Sequence, residues 1–555
     1  MKPEEILAAL DPEQQEAAEA LVGPVRILAG AGTGKTRTIT HRIAYGIARG
    51  FFSANRVMAL TYTNRAAGEL RARLRSLGIP AVSVKTFHAA ALSQLQFFWP
   101  QFAGVPAPNV LESKASLIAK AADELRIRLD ANAVREVAAE IEWRKYSCLS
   151  LEQYEQLAES RPLAFESAKS IVQIQQKYEE LKIASNRIDW EDVLVLTLGM
   201  LRAEPRAREH VHSQYRFYTV DEYQDISPLQ HQLLDEWLGN RSDLCVVGDP
   251  NQTIYSFTGA SANFLMDFDR RFENAQTIQL IRNYRSTREI VAVANRLTYG
   301  VSSLEPLISE QQQGLAPLVR SYSNVLEEAE AVAQAIRQKL SQGIPPKEIA
   351  VLYRVNGQSE ALENALSKEG IDFQVRGGER YFNRTDVKSA IQAVRAETAA
   401  PSAKPLALAV SDIVRSLGWT VSPPEQSGLA RERWEALNSF LEMVNELPPG
   451  SNIHDFAKEL DERARSSHEP QKSTVTLATI HSAKGLEWDV VYLIGANEGY
   501  LPISYAKTES EVQEERRLLY VAITRARKEL TISYAQTDLQ TGRSKARSRF
   551  LDQIT

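Results

Sequence analysis

The chain has 555 residues, 44% of them hydrophobic and 24% charged, with a formal net charge of −5. That length exceeds a single core and suggests roughly four domain-sized units; two cysteines, Cys148 and Cys245, make neither a disulfide framework nor a zinc site; and the charge balance excludes nucleic-acid binding through a bulk basic field. The N-terminus has no apolar signal core and no apolar run approaches the roughly 20 residues of a membrane span, so a cytoplasmic location with no membrane partner is expected.

In chain order, "VRILAG" (Val25–Gly30) reads as a strand ending in glycine, followed by a helix with Ile39, Ile43 and Ile47 on one face. "RVMALTYT" (Arg56–Thr63) and "AVSVKTF" (Ala81–Phe87) read as further strands, and the alternation points to a parallel, doubly wound α/β sheet. From 110 to 189 the text is helical. Strands return at "FYTVDE" (Phe217–Glu222), "LCVVGD" (Leu244–Asp249), "TIQLI" (Thr277–Ile281), "IAVLYRV" (Ile349–Val355) and "TVTLATI" (Thr474–Ile480). A second non-strand block, 391–471, holds the linker-like "SPPEQSG" (Ser422–Gly428) and "ELPPGSN" (Glu446–Asn452). The expected organisation is two α/β bodies, each with a helical insertion: 1–109 with 190–276, interrupted by 110–189, and 277–390 with 472–555, interrupted by 391–471.

"AGAGTGKT" (Ala29–Thr36) lies between the first strand and its helix. Residues Ala29, Gly30, Ala31, Gly32, Thr33 and Gly34 can wrap phosphate with backbone N–H groups while the helix N-terminus faces the charge. Lys35 would neutralise β/γ oxygens, Thr36 would ligate Mg²⁺, and Arg37 follows in the first helical turn. The strict pattern has glycine where Ala29 stands. Such a loop needs an acid at the end of another strand, and "YTVDEYQD" supplies Asp221 for Mg²⁺ and Glu222 to orient or deprotonate water. Two adjacent carboxylates favour hydrolysis over transfer to a small molecule. A small-molecule P-loop kinase is the weaker alternative, and it leaves "DEYQD" without a role.

"DEYQD", with "VVGDPNQTIYSFTGA", "LDPEQQEA", "LTYTNRAAGEL", "KTFHA", "NYRST", "AVLYRVNGQSEALENAL", "TIHSAKGLEWDVVYLIGANEGYLP" and "EERRLLYVAITRARKEL", resembles the superfamily 1 DNA helicases of the UvrD/Rep/PcrA type, block by block and in order. The resemblance implies two RecA-like P-loop motor domains with ATP between them. It implies that Gln14 reads the adenine edge, Tyr284 stacks on adenine and Glu487 contacts the ribose. It makes Gln252 the γ-phosphate sensor, and Arg285 and Arg525 the arginines reaching the γ-phosphate from the second domain. Taken alone, Arg525 reads as an ordinary arginine of an amphipathic helix.

For the strand side, Tyr62, Tyr255 and Phe257 match base-stacking positions of the family; each alone reads as core packing. Thr61, Thr63, Asn64, Thr86, His88, Arg354 and His481 match its backbone and base contacts. Tyr62 stands where phenylalanine is usual, Phe257 where tryptophan is, Ser389 where an acid is, and Thr258 replaces an arginine that links strand and nucleotide. The second insertion is about half the family's usual size, and no C-terminal tail or nuclease acid cluster is expected. The function implied is an ATP- and Mg²⁺-dependent DNA helicase moving 3′ to 5′ on single-stranded and tailed duplex DNA, with repair or replication partners of unspecified identity. The alternative is a strand-dependent translocase or protein-clearing motor that unwinds poorly without a partner.

Overall fold

The computed structural model describes residues 2–158, 167–376, 382, 385–399, 404–421, 434, 436–438, 440–441, 443–447, 450–466, 473–537 and 543–554. The linker-like segment 422–428 and the boundary at 471–472 fall outside these. The chain divides into two compact units, one of Met1–Leu315, Pro502–Thr524 and Asp552–Ile554, the other of Ala316–Leu501 and Arg525–Leu551.

The first unit is built on a six-stranded parallel sheet. Its strands are β1 (Val25–Ala29), β2 (Val57–Thr61), β3 (Ser83–Thr86), β6 (Phe217–Val220), β7 (Leu244–Gly248) and β8 (Gln276–Leu280), in the order β3-β2-β6-β7-β1-β8. The pairs β4 (Asn109–Val110) with β5 (Arg187–Ile188), and β9 (Arg282–Asn283) with β10 (Ile308–Ser309), form two small ribbons. Strands β1, β2 and β7 are buried throughout, as parallel strands covered on both faces must be. Side chains alternate between two cores. Met58 and Leu60 join Trp237, Tyr218 and Phe87 in one, while Val57 and Ala59 join Val25, Ile27 and Ile39 in the other. Because every strand runs the same way, the C-terminal ends of β1, β2, β3, β6 and β7 share one edge, and the residues just past them gather there. Between the ribbon strands the described residues of the 110–189 segment are mainly helical, with Ile118, Val137, Ile141, Ile174 and Tyr178 forming their own core.

The second unit carries another six-stranded parallel sheet: β11 (Leu318–Tyr322), β12 (Ile349–Tyr353), β13 (Phe373–Arg376), β14 (Val475–Thr479), β15 (Trp488–Leu493) and β16 (Ala526–Ala535), ordered β11-β16-β15-β12-β14-β13. Its helical insertion includes Thr385–Ala399, Leu406–Ser416 and Ile453–Ser466. Val387, Val394, Val410, Phe440 and Phe456 form its core. Among the described residues no helix is long and apolar enough to cross a membrane.

Three placements differ from the sequence reading. "TIQLI" belongs to the first sheet, since β8 pairs with β1 from Val25↔Gln276 to Ala29↔Leu280; parallel pairing with the P-loop strand outweighs its position in the chain. The segment 502–524 lies in the first unit rather than the second. "EERRLLYVAITRARKEL" is not one helix: the helix Glu509–Ile523 ends before Arg525, and β16 begins at Ala526.

Candidate nucleotide and strand sites

The P-loop turns sharply between β1 and the helix Lys35–Ala48. Gly32 and Gly34 sit at φ of 71° and 82°, a region that side chains other than glycine strain to adopt. A Cβ on Gly34 would stand 2.7 Å from Gln14 Nε2, and one on Gly32 would stand 2.6 Å from Asn283 Nδ2 and 2.8 Å from Arg285 Cβ. These glycines therefore let three other segments close on the loop. Gln14 is buried and donates to the Thr33 carbonyl at 3.0 Å, while the Thr33 hydroxyl returns to the Gly30 carbonyl at 2.9 Å. Asn283 Nδ2 donates to the Ala31 carbonyl (2.7 Å), and the Tyr284 backbone N–H donates to the Gly32 carbonyl (2.9 Å). The Tyr284 hydroxyl reaches Asp11 Oδ2 at 2.5 Å. Arg282 pairs with Glu13 at 2.9 Å and Glu310 at 2.7 Å. The exposed Arg37 guanidinium bonds the Ala9 carbonyl.

Arg285 needs correction. The resemblance implies that it arrives from the second domain, yet it belongs to the first unit. Asn283 Oδ1 accepts from its backbone N–H at 2.9 Å, and its guanidinium donates to the Thr524 carbonyl at 3.3 Å. The turn that clamps the P-loop thus also fixes Arg285.

Past β6, Asp221 is buried and accepts from the Glu222 N–H at 3.0 Å. Burial, followed by the neighbouring Glu222 charge, pushes its carboxyl up to about 7, with Lys35 opposing. Past β7, Asp249 is buried and also shifted upward by desolvation, again with Lys35 opposing. Lys35 Nζ rests on the Ala29 carbonyl at 3.3 Å. Glu222 has φ 53°, unusual for a residue with a Cβ, and accepts from Gln224 Nε2 at 2.5 Å. Gln224 Oε1 in turn accepts from the Asp249 N–H at 3.0 Å, and Gln252 Nε2 donates to Asp249 Oδ2 at 2.7 Å. Lys35, Glu222, Gln224, Asp249 and Gln252 form one electrostatic unit, with Asp221 beside it.

A buried carboxylate just past a strand and a half-buried Thr36 at a helix N-terminus are ligand types suited to Mg²⁺. The glycine cradle suits a phosphate. The sequence reading passed over Asp249, Gln224 and Asn283. The position of Asp249, an acid just past an apolar strand, is the signal that would have found it.

On the strand side, Tyr62 and Tyr255 stack with centroids 5.4 Å apart and planes 13° from parallel, and Phe257 meets Tyr255 edge-on at 6.0 Å. Phe257 is 53% exposed, which separates it from a core ring. The Thr258 hydroxyl donates to the Tyr255 carbonyl at 2.8 Å and hydrogen-bonds the Tyr62 phenol, whose pKa burial pushes up to about 12. His88 pairs with the Tyr146 hydroxyl at 3.0 Å, and Trp190 meets its ring edge-on. Burial lowers His88 to about 4, so it is neutral at physiological pH. Thr63 and Thr86 accept from Ala66 and Ala89 N–H groups as helix N-caps. Thr61 Oγ1 is buried with no hydrogen-bond partner. Asn64 opens the helix after β2.

Four expected residues lie in the second unit. Arg525 is 1% exposed and donates to the Leu486 carbonyl at 3.1 Å; it is a buried junction residue, not a surface helix arginine. Glu487 meets Arg527 at 3.4 Å. The Arg354 N–H donates to Gln358 Oε1 at 2.9 Å. His481 is lowered to about 3 by burial, then by the charges of Arg354 and Lys484.

Residues 10–273 match the UvrD/REP helicase N-terminal domain, and 278–423 with 424–537 match the UvrD-like helicase C-terminal domain. The chain is 44% identical to ATP-dependent DNA helicase UvrD2 of Mycobacterium tuberculosis, over 99% of this chain and 82% of that protein. It is 27% identical to ATP-dependent DNA helicase PcrA of Bacillus subtilis, over 99% of this chain and 86% of that one. It is 28% identical to ATP-dependent DNA helicase UvrD1 of Mycobacterium bovis, over 99% and 86%. With the P-loop, the two acid-tipped strands and both matched domains in place, the chain belongs to the UvrD-like helicase family.

Proposed function

We propose that this protein is an ATP-dependent DNA helicase that moves 3′ to 5′ along single-stranded DNA and separates tailed duplexes. The observation that supports coupling most directly is one short segment with two ends. At Asp249–Gln252 it bonds into the network around Lys35 and Glu222; at Tyr255 it stacks on Tyr62. A shift at the nucleotide end is carried to the aromatic end within six residues.

In this reading the P-loop amides and Lys35 hold the phosphates, and Gln14 and Tyr284 bracket the base. Glu222 orients water and accepts its proton, and Arg285 offsets charge developing on the transferred phosphoryl group. Thr36 and Asp221 would hold Mg²⁺, which supplies charge neutralisation at the phosphate oxygens. Stacking on Tyr62, Tyr255 and Phe257 grips bases with little sequence preference, at about 1–3 kcal/mol per base.

The test is ATP turnover with and without single-stranded DNA, then displacement of a 3′-tailed duplex by the protein alone. Stimulation and displacement are expected. Stimulation without displacement would assign the partner-dependent translocase instead, and turnover indifferent to DNA would overturn both.

A further inference from the structure

We infer that Glu514 and Arg517 are positioning residues that hold the strand-contacting loop Thr253–Thr258 in register with the nucleotide network. This inference rests on the function proposed above. The two side chains are three residues apart on the helix Glu509–Ile523, so they share a face. Glu514 Oε1 accepts from the Ser256 N–H at 3.2 Å, and its other oxygen accepts from the Ser256 hydroxyl. Arg517 Nε donates to the Thr253 carbonyl at 2.8 Å.

One anion and one cation thus grip backbone groups three residues apart in the loop, on either side of Tyr255. Charge-assisted bonds of this kind are about twice as strong as neutral ones. Burial lowers the Arg517 pKa, with the Glu514 charge opposing. Among the described residues no carboxylate lies within ion-pair distance of Arg517.

The same helix runs on to Thr524, whose carbonyl accepts from Arg285. A single rigid element therefore touches both the arginine clamped to the P-loop and the loop bearing Tyr255 and Phe257. Thr258 stands where the family resemblance expects a linking arginine; the grip from Glu514 and Arg517 supplies a link that Thr258 does not make.

The experiment compares wild type, Glu514→Ala, Glu514→Gln and Ser256→Ala. Three quantities are read: DNA-free ATP turnover with its KM, the oligo-dT concentration giving half-maximal stimulation, and fluorescence of oligo-dT containing 2-aminopurine. Glu514→Ala should raise the half-stimulating concentration about tenfold, the loss of one charge-assisted contact, and shift the bound fluorescence. Its DNA-free turnover and KM for ATP should stay within about twofold. Ser256→Ala should move the same way by less, and Glu514→Gln, which keeps one acceptor oxygen but loses the charge, should fall between wild type and Glu514→Ala. The inference is overturned if Glu514→Ala leaves oligo-dT response and fluorescence unchanged, or if DNA-free turnover falls in parallel. Wild-type turnover indifferent to oligo-dT would contradict the proposed function, while the fluorescence arm still decides the role of Glu514.

Discussion

The side-chain amide of Asn283 donates to the carbonyl of Ala31 at 2.7 Å, and it does so over a glycine. A Cβ on Gly32 would meet Asn283 Nδ2 at 2.6 Å, in a backbone region that already disfavours it. Gly32→Ala should therefore push the 283–285 turn off the loop. The expected result is loss of fluorescent-ADP binding by at least about tenfold with cooperative unfolding retained, since the clash is local. Unchanged affinity would show that the cradle does not need this closure.

Asp221 gives a pH prediction with a definite sign. Its folded pKa, about 7, lies above the ordinary carboxylate value, so between those two values the unfolded state has released a proton that the folded state keeps. The penalty is absent at low pH and fully present above about pH 7. Asp221→Asn removes it. The variant should gain thermal stability over wild type as pH rises from 5 to 8, about 2–4 °C per kcal/mol relieved, while losing turnover. A gain that is constant across pH would place the shift elsewhere.

His88 and His481 are held neutral by burial. Under the proposed function their contribution to strand binding is then hydrogen bonding and stacking, not charge. His88→Gln should weaken single-strand affinity without altering the slope of log K against log salt, because no phosphate-neutralising cation is lost. A slope reduced by about 0.7, the value for one charge on a single strand, would contradict a neutral imidazole.

In the 110–189 insertion, Lys145 and Lys182 are shared among three carboxylates. Lys145 Nζ lies 2.6 Å from Asp189 and 2.8 Å from both Asp192 and Glu179, and Lys182 Nζ lies 2.6 Å from Glu179. Removing one ammonium strands buried negative charge. Lys145→Met should cost about 3–5 kcal/mol of stability by chemical denaturation, and a cost under 1 kcal/mol would show that the network relaxes freely.

The parallel strands were legible where they are short, buried apolar runs, as β1, β2, β7 and β12 are throughout, and glycine or an acid marks the C-terminal ends of β1, β6 and β7. Strand β11 was missed because its residues are mostly exposed or half-buried. Strand β16 was missed because three consecutive charged residues, Arg527, Lys528 and Glu529, stand in its first half, inside text with helical spacing. Lys35, Asp221 and Glu222 were legible because P-loop chemistry fixes residue types at short spacing. Contacts such as Ser256 with Glu514, 258 positions apart, leave no local pattern to read. The same holds for the closure of Asn283 on Ala31, which moved Arg285 to the first unit.

The central claim is that the network around Lys35 and Glu222 splits ATP and that a bound strand sets its pace. Glu222→Gln removes the proton acceptor while leaving the P-loop intact. Single-turnover ATP hydrolysis in saturating oligo-dT should fall by about 10²–10⁴-fold, with fluorescent-ATP affinity within about threefold of wild type. Hydrolysis at the wild-type rate, still stimulated by oligo-dT, would contradict the account.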